Sequence, residues 1–350
     1  MNLLAHERTT RAGAMMRKLR RSIKSLAACV CAIFLLVAVQ ARTPRQKEGN
    51  KNGGTAAGGR GRKSEARGSV HSVTIPVTLN RRGGNAPREE MQLLELVVQE
   101  DGEAQEILSA RGADRAPLAF AVLIQDDVQS PVSNEIKGLA TFIRALPAGS
   151  RVLVGYLRAG SPQLTQRFTN DLEHAAKTLR IPIGAAAAAP FNPYTELADV
   201  LKRFESLPTG RRAVLLISDG VDVSRGLDNS TPGQSVDLQR AINEAQRRSV
   251  AVYSIYAPTN LTAGGNFILA GNGQGSLKRL SDETGGRSFF QGANAPVSFD
   301  PFLRELSGLL NRQFALTYLS THPSKEFHRI KLQTAQTEVE LAYPSGYARK

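Results

Sequence analysis

Carboxylate and hydroxyl side chains follow two apolar runs of the sequence, and their types could bind a divalent metal ion. In AVLIQDDVQSPVS the apolar run ends at Gln125 and is followed by Asp126, Asp127 and Ser130, and in LLISDG a second run is followed by Asp219. Hard oxygen ligands of this kind suit Mg²⁺. Asp and Ser also cap helix amides and form turns. The pattern predicts a metal site, the remnant of one, or an ordinary strand-to-helix turn.

The segments around these residues alternate between buried strands and amphipathic helices. The near-continuous apolar runs LAFAVLIQ, RVLVGYL, RAVLLIS and VAVYSIYA are typical of strands covered on both faces. Between them, SNEIKGLATFIRAL, TELADVLKRFESL and VDLQRAINEAQRRS have helical periodicity. This alternation predicts an α/β fold with a doubly wound, mostly parallel sheet. Such folds place their sites in loops at the carboxyl ends of the strands, where both polar loops would lie.

Strand patterns flank this region on both sides and predict a small accessory β unit. HSVTIPVTLN alternates like a strand, and MQLLELVVQEDGEAQEILSARG indicates two strands joined by a turn at Asp101-Gly102. After SLKRLSDETGG, a helix stopped by glycines, come the edge strand RSFFQG and the helix VSFDPFLRELSGLLNRQ. FALTYLS, EFHRIKLQT and EVELAYP then predict strands that extend or pair with the first unit. GNGQGS, Gly271 to Ser276, lacks the Walker lysine and a preceding strand, so it predicts a flexible loop.

The first 41 residues have the pattern of an export signal. RKLRRSIK precedes the apolar run SLAACVCAIFLLVAV, and the small-x-small pattern at Val39 to Ala41 predicts cleavage after Ala41. An uncleaved anchor is the alternative, but this run is shorter than the roughly 20 residues that span a bilayer. We therefore expect a periplasmic, cell-surface or secreted protein without a transmembrane span after cleavage. Translation could also start at Met15 or Met16 instead of Met1.

The net charge of +14 comes mainly from the N-terminal part of the chain. Residues 42–69 are rich in Gly, Lys and Arg with almost no large apolar side chain, which predicts a disordered tether. Residues 71–350 hold 30 basic and 28 acidic residues and are nearly neutral. This balance gives no electrostatic reason to expect a nucleic-acid partner.

Several separate segments together resemble a known family. Asp126-x-Val128-x-Ser130, Thr195 in NPYTELADVL and Asp219 lie in the order of the metal-ion-dependent adhesion site of von Willebrand factor type A domains. The flanking segments LVVQEDGEAQEI, TGGRSFF, RQFALTYLSTHPSKEFHRIKL and YPSGYA resemble the bacterial "VWFA-related" proteins. The resemblance covers roughly residues 72 to 348. Together with the export signal (1–41) and the tether (42–69), it predicts an N-terminal β unit (70–115), a type A domain (116–312) and a C-terminal β tail (313–350).

The resemblance also implies a ligand set. By position, Asp126, Ser130, Thr195 and Asp219 would hold Mg²⁺ or a similar divalent cation, and a carboxylate of a partner protein would complete its coordination. Asp127 and Gln129 would lie beside that ligand, although Asp127 would also fit a solvent-facing or helix-capping position. Val128 departs from the pattern because the family has a serine there and an isopropyl group cannot bind a cation. We expect weak metal binding or none.

These observations favour an exported, non-enzymatic, adhesion-like module that binds another protein through its strand-end face. The alternative is a structural or assembly subunit whose metal site is inactive and whose partners bind other surfaces. An enzyme is disfavoured because no Ser/His/Asp or Cys/His set is visible and the five histidines are scattered without zinc-ligand spacing. The sequence carries no signal for a particular oligomeric state.

Overall fold

The computed structural model describes residues 70–81, 95–129, 131–292, 294–324 and 326–348. The predicted signal peptide and tether lie outside these residues. Within the described part of the chain, no helix combines the length and apolar character needed to span a bilayer.

A six-stranded mixed sheet forms the centre of the α/β region. Its strands are β4 (Leu118–Gln125), β5 (Arg151–Leu157), β6 (Gln163–Thr169), β7 (Arg211–Ser218), β8 (Ala251–Tyr256) and β9 (Ser288–Phe289). They lie in the order β6-β5-β4-β7-β8-β9, an order also seen in Rossmann-type sheets. The pairs β5-β4, β4-β7, β7-β8 and β8-β9 are parallel, whereas β5-β6 is antiparallel. The predicted α/β class is confirmed, and the antiparallel edge strand makes the sheet mixed.

Helices cover both faces of this main sheet, which is why its central strands are apolar throughout. The helices are α1 (Pro131–Arg144), α2 (Leu172–Lys177), α3 (Pro193–Leu201), α4 (Val236–Arg247), α5 (Phe267–Thr284) and α6 (Asp300–Asn311). Phe120 and Val122 of β4 pack in one core with residues of α1, α2 and α6. Ala121 and Leu123 of the same strand pack in a second core with residues of α3, α4 and α5. Alternate side chains of β4 therefore enter opposite cores.

A second, antiparallel sheet combines the two ends of the described chain. Its strands are β1 (His71–Arg81), β2 (Leu96–Glu100), β3 (Glu103–Arg111), β10 (Gln313–Ser320), β11 (Phe327–Thr334), β12 (Val339–Ala342) and β13 (Gly346–Ala348). They lie in the order β12-β1-β10-β3-β2-β11-β13. The predicted strands on both flanks are present. The sheet has seven strands, and both flanks contribute to it as the sequence predicts.

The run Gly271 to Ser276 lies inside α5, so the predicted flexible loop is wrong. Three glycines in six residues lower helix propensity, but the helix packs closely against the loop that follows β7, where larger side chains would not fit. The predicted stop of this helix is confirmed, because Gly285 caps it with a left-handed φ of 79°.

Candidate functional site

Asp126 is the first polar residue beyond β4, and its carboxylate is bound by a guanidinium group. It is fully buried, with 0% exposure. Arg180 donates from Nη1 to Oδ1 at 2.7 Å and from Nη2 to Oδ2 at 2.8 Å. The amide of Ile183 donates to Oδ1 at 3.1 Å. Both carboxylate oxygens are thus engaged in a bidentate ion pair, the strongest common form of charge-assisted hydrogen bonding between side chains.

Tyr156 at the carboxyl end of β5 holds Arg180 in this position. Its hydroxyl donates to the carbonyl of Arg180 at 2.6 Å and accepts from the amide of Arg180 at 2.7 Å. The guanidinium carbon lies 3.8 Å from the centroid of the tyrosine ring, within the range of a cation–π interaction. The hydrogen bond with Asp126 also raises the pKa of Arg180, despite partial burial. Arg180 is therefore a fixed positive charge at this edge of the sheet.

Asp219, beyond β7, forms a second buried carboxylate. Its Oδ1 accepts from the amide of Val221 at 3.0 Å, and its Oδ2 accepts from the hydroxyl of Thr259 at 2.7 Å. Burial raises its pKa to about 6, and the charge of the nearby Asp127 contributes to the rise while the hydrogen bonds oppose it. Its internal partners are therefore uncharged groups of the adjacent loops.

Gln125 connects the two polar loops. Its Nε2 donates to Asp127 Oδ1 at 2.9 Å, while its Oε1 accepts from the hydroxyl of Ser218 and from the amide of Asp219. Asp127 is buried, and burial raises its pKa. The expectation that Asp127 faces solvent is wrong, because the Gln125 amide draws its carboxylate inward.

The remaining candidate residues lie in other environments. Thr195 is exposed in the first turn of α3, where its amide donates to the capping Asn192 Oδ1 at 2.8 Å. Gln129 is partly exposed, and its amide donates to the carbonyl of Pro258 at 3.0 Å. Val128 is buried in the core and forms an isolated bridge with Thr259. Ser130 lies outside the described residues.

This arrangement does not fit an octahedral divalent cation. Mg²⁺ requires free carboxylate or hydroxyl oxygens converging on one point at about 2.0–2.1 Å. Here the guanidinium occupies both oxygens of Asp126, Thr259 and Val221 occupy those of Asp219, and Thr195 is exposed to solvent. Among the described residues, no group of three or more His, Cys, Asp or Glu ligands converges at this edge.

Large apolar side chains are exposed on segments that follow or precede the carboxyl ends of the main-sheet strands. They belong to the segment before α3, the loop after β7, and the segment from β8 into α5. We call the following seven residues the apolar rim: Ile181, Ile183, Phe191, Leu227, Leu261, Phe267 and Ile268. Phe191 is 73% exposed and Ile268 is 78% exposed.

Backbone hydrogen bonds connect the loops that carry the apolar rim. The Val223 amide donates to the carbonyl of Phe191 at 3.0 Å, and the Gly184 amide donates to that of Asp126 at 2.9 Å. Sequence reasoning missed the rim because its members are spread over several loops and the first turn of α5, without a common motif. It also missed Arg180, which lies 54 residues from Asp126 and in no motif.

Glu196 is a further buried carboxylate near this edge that the sequence did not indicate. It follows Thr195 in α3 and accepts from the amide of Arg158 at 2.7 Å. Burial raises its pKa to about 7, and the charge of Asp199 adds to the rise while the amide hydrogen bond opposes it. The hydrogen bond from the Arg158 amide explains the buried position of Glu196 without a catalytic role.

The chain is similar to several solved structures. Neither a protein-family model nor a curated protein matches the sequence. An aerotolerance-related membrane protein from Bacteroides fragilis NCTC 9343 aligns at 10% identity and a TM-score of 0.39, over 56% of this chain and 98% of that chain. BatB from Bacteroides thetaiotaomicron aligns at 13% identity and a TM-score of 0.37, over 55% of this chain and 95% of that chain. The SpRpn10 VWA domain aligns at 10% identity and a TM-score of 0.36, over 54% of this chain and 95% of that chain.

Proposed function

We propose that the chain is an exported protein-interaction module with a doubly wound, von Willebrand factor A type domain, and that it binds another protein without a bridging metal ion. The observation that carries this proposal is the apolar rim, whose residues lie on segments connected to the carboxyl ends of the main-sheet strands. Open α/β sheets bind ligands at that edge. Exposed apolar side chains grouped beside polar residues are typical of protein-binding surfaces.

The ion pair of Asp126 supports binding without a metal ion. In a metal-dependent site the cation neutralises the buried carboxylates and leaves one position for an acidic residue of the partner. Here Arg180 supplies the positive charge that neutralises Asp126. Described residues accept three hydrogen bonds from the guanidinium, which has five N–H donors. We propose that an acidic residue of the partner binds the outward side of Arg180, which is 34% exposed.

The proposed function is non-catalytic. Thr259 and Asp219 form a hydroxyl–carboxylate pair at the strand-end edge, and both side chains are buried. A nucleophile must reach its substrate, so this pair is better suited to holding the two loops together. We expect no turnover in a broad hydrolase screen; activity abolished by Asp219→Ala would contradict this assignment.

Site-specific photo-crosslinking in the producing cells tests the binding surface. A benzophenone amino acid would replace Phe191 or Phe267 of the apolar rim, one at a time. Phe327 of β11 and Leu108 of β3, which are exposed on the second sheet, provide matched controls. We expect one discrete crosslinked protein from the rim positions and none from the controls. The converse pattern would favour the alternative of an assembly subunit that binds through other surfaces.

Metal dependence is tested on the same crosslink and by calorimetry. We expect the rim crosslink to persist in EDTA, and to be lost when Arg180→Glu reverses the charge. Titration with Mg²⁺ should give no saturable heat. Saturable binding that disappears in Asp219→Ala would overturn the metal-independent proposal and restore the ligand set implied by the family resemblance. If metal binding appeared only in the Val128→Ser variant, the valine side chain alone would account for the lost metal binding of the natural protein.

A further inference from the structure

Two histidines and a glutamate meet at one end of the second sheet. Glu100 ends β2, His322 lies in the loop after β10, and His328 lies in β11. One potential ligand atom from each lies within 4.8 Å of the other two, and no other group of three or more such residues converges in the described part of the chain. We call these three residues the Glu100 cluster.

The spacing within the Glu100 cluster is close to that of a zinc site. Glu100 Oε1 lies 3.7 Å from His322 Nδ1 and 3.8 Å from His328 Nδ1. Tetrahedral zinc with bonds of about 2.0–2.1 Å holds its ligand atoms roughly 3.3 Å apart. The two distances from Glu100 Oε1 are therefore within about half an ångström of those in a tetrahedral zinc site.

The centre of the cluster contains polar atoms without partners. Glu100 is fully buried; its Oε1 accepts from the hydroxyl of Ser320 at 3.1 Å, but its Oε2 makes no hydrogen bond. His322 Nδ1 is also buried without a hydrogen bond. A buried carboxylate requires a compensating cation or hydrogen bonds, and an ion at this point would supply the charge.

The outer nitrogens of both rings face groups that could orient them. His328 Nε2 lies 3.0 Å from the hydroxyl of Ser324, and His322 Nε2 lies 3.7 Å from a carboxylate oxygen of Glu103. Metal-binding histidines commonly donate their second N–H to such a partner, which fixes the tautomer. His328 Nδ1 now lies 2.7 Å from Asp101 Oδ2. A metal ion on His328 Nδ1 would displace the proton shared between that nitrogen and Asp101. The Asp101 carboxylate would then be a nearby further oxygen ligand for the ion.

We propose that Glu100, His322 and His328 bind a borderline divalent cation of the Zn²⁺ class, with Asp101 or water at the fourth position. Nitrogen ligands favour Zn²⁺ over Mg²⁺, because imidazole is a softer ligand than oxygen. The site is separate from the polar loops of the main sheet. Its ligands come from β2, β11 and the β10–β11 loop, so the ion would link β2 to a C-terminal segment that is distant from it in sequence.

Zinc titration of the full-length chain tests this proposal. Cys29 and Cys31 would be changed to serine, because thiolates also bind zinc. We expect one Zn²⁺ per chain at neutral pH and an increase in melting temperature. His322→Phe keeps a ring against His328, whose centroid is 5.0 Å away, but removes the nitrogen ligand. It should weaken zinc binding at least tenfold, whereas the exposed control His174→Phe should not.

Cobalt and a second variant provide an independent measurement. Co²⁺ in the site should give the visible absorption of tetrahedral coordination, and Glu100→Gln should reduce it while circular dichroism remains unchanged. Asp219→Ala should leave zinc binding intact, which separates this site from the strand-end edge. Absence of saturable zinc binding, or binding equal in His322→Phe and the control, would overturn the proposal.

Discussion

The ion pair of Asp126 and Arg180 is unequal in burial, and this decides what its loss would do. The carboxylate is fully buried, whereas the guanidinium is 34% exposed. Removal of the arginine leaves the negative charge of Asp126 where water cannot easily reach it. When an exposed ion pair is broken, water hydrates the group that remains. Breaking a buried pair from one side costs far more than the net contribution of a surface pair.

Arg180→Ala should reduce the free energy of unfolding by about 2–4 kcal/mol, because Asp126 loses both hydrogen bonds from the guanidinium. Arg144→Ala breaks the exposed pair with Glu173 and should cost much less, because water solvates both groups. Urea unfolding followed by circular dichroism measures both. Equal losses in the two variants would mean that Asp126 finds another partner.

Glu196 gives the protein a pH dependence of predictable sign. Its pKa rises from 4.5 to about 7 on folding, so between those values the folded state binds a proton that the unfolded state has lost. The stabilising effect is complete below pH 4.5 and disappears as pH rises through about 7. Glu196→Gln, which keeps an oxygen for the Arg158 amide, should match the natural protein at pH 4.5 and exceed its stability by about 1–3 kcal/mol at pH 8. An equal difference at both pH values would contradict the shifted pKa.

At the scale of elements, the central strands could be predicted because burial on both faces demands apolar runs. The short edge strand β9, helix α6 and the strands β10, β11 and β12 also agree with the sequence patterns. The helical glycine run could not be predicted, because its reason is a tertiary contact. Arg180 and the Glu100 cluster could not be predicted either, since their partners meet only when distant segments fold together.

Alanine substitutions at Gly271 and Gly273 of α5 should distinguish the effect of helix propensity from the effect of packing. A Cβ at Gly273 would lie 1.9 Å from the carbonyl oxygen of Asp219, whereas a Cβ at Gly271 has nothing within 4 Å. Gly273→Ala should therefore destabilise the protein by about 1–3 kcal/mol or more. Gly271→Ala should stabilise it by about 0.5–1 kcal/mol, because alanine favours the helix. Thermal unfolding of the two variants should give melting temperatures on opposite sides of the natural value.

At the scale of the whole molecule, the second sheet depends on both flanks of the α/β region. β10 lies between β1 and β3 and pairs with each of them, so its eight residues join two N-terminal strands. Apolar residues from both flanks form its core, including Ile75 of β1 and Leu316 of β10. Neither flank contains a complete sheet by itself.

Truncation should show this dependence. A chain ending at Arg312 lacks β10 and should lose cooperative unfolding of the second sheet, because β1 and β3 lose their common neighbour. A chain ending at Ser345 lacks only the edge strand β13, which pairs three residues with β11, and should still unfold cooperatively. Calorimetry of both chains measures the difference. A normal transition in the shorter chain would show that the N-terminal strands fold without their C-terminal partners.

The pairing of β1 with β10 also constrains the order of events during synthesis. Thr74 and Thr317, whose hydroxyls lie 2.9 Å apart across this ladder, are separated by 243 residues. A ribosome adding about 5–20 residues each second therefore needs on the order of ten seconds or more to supply the second strand after the first. During that interval β1 has an unpaired edge, while the α/β region between the two strands can already begin to form. Closure of the second sheet is accordingly a late step, and only a chain translated nearly to its end can complete it.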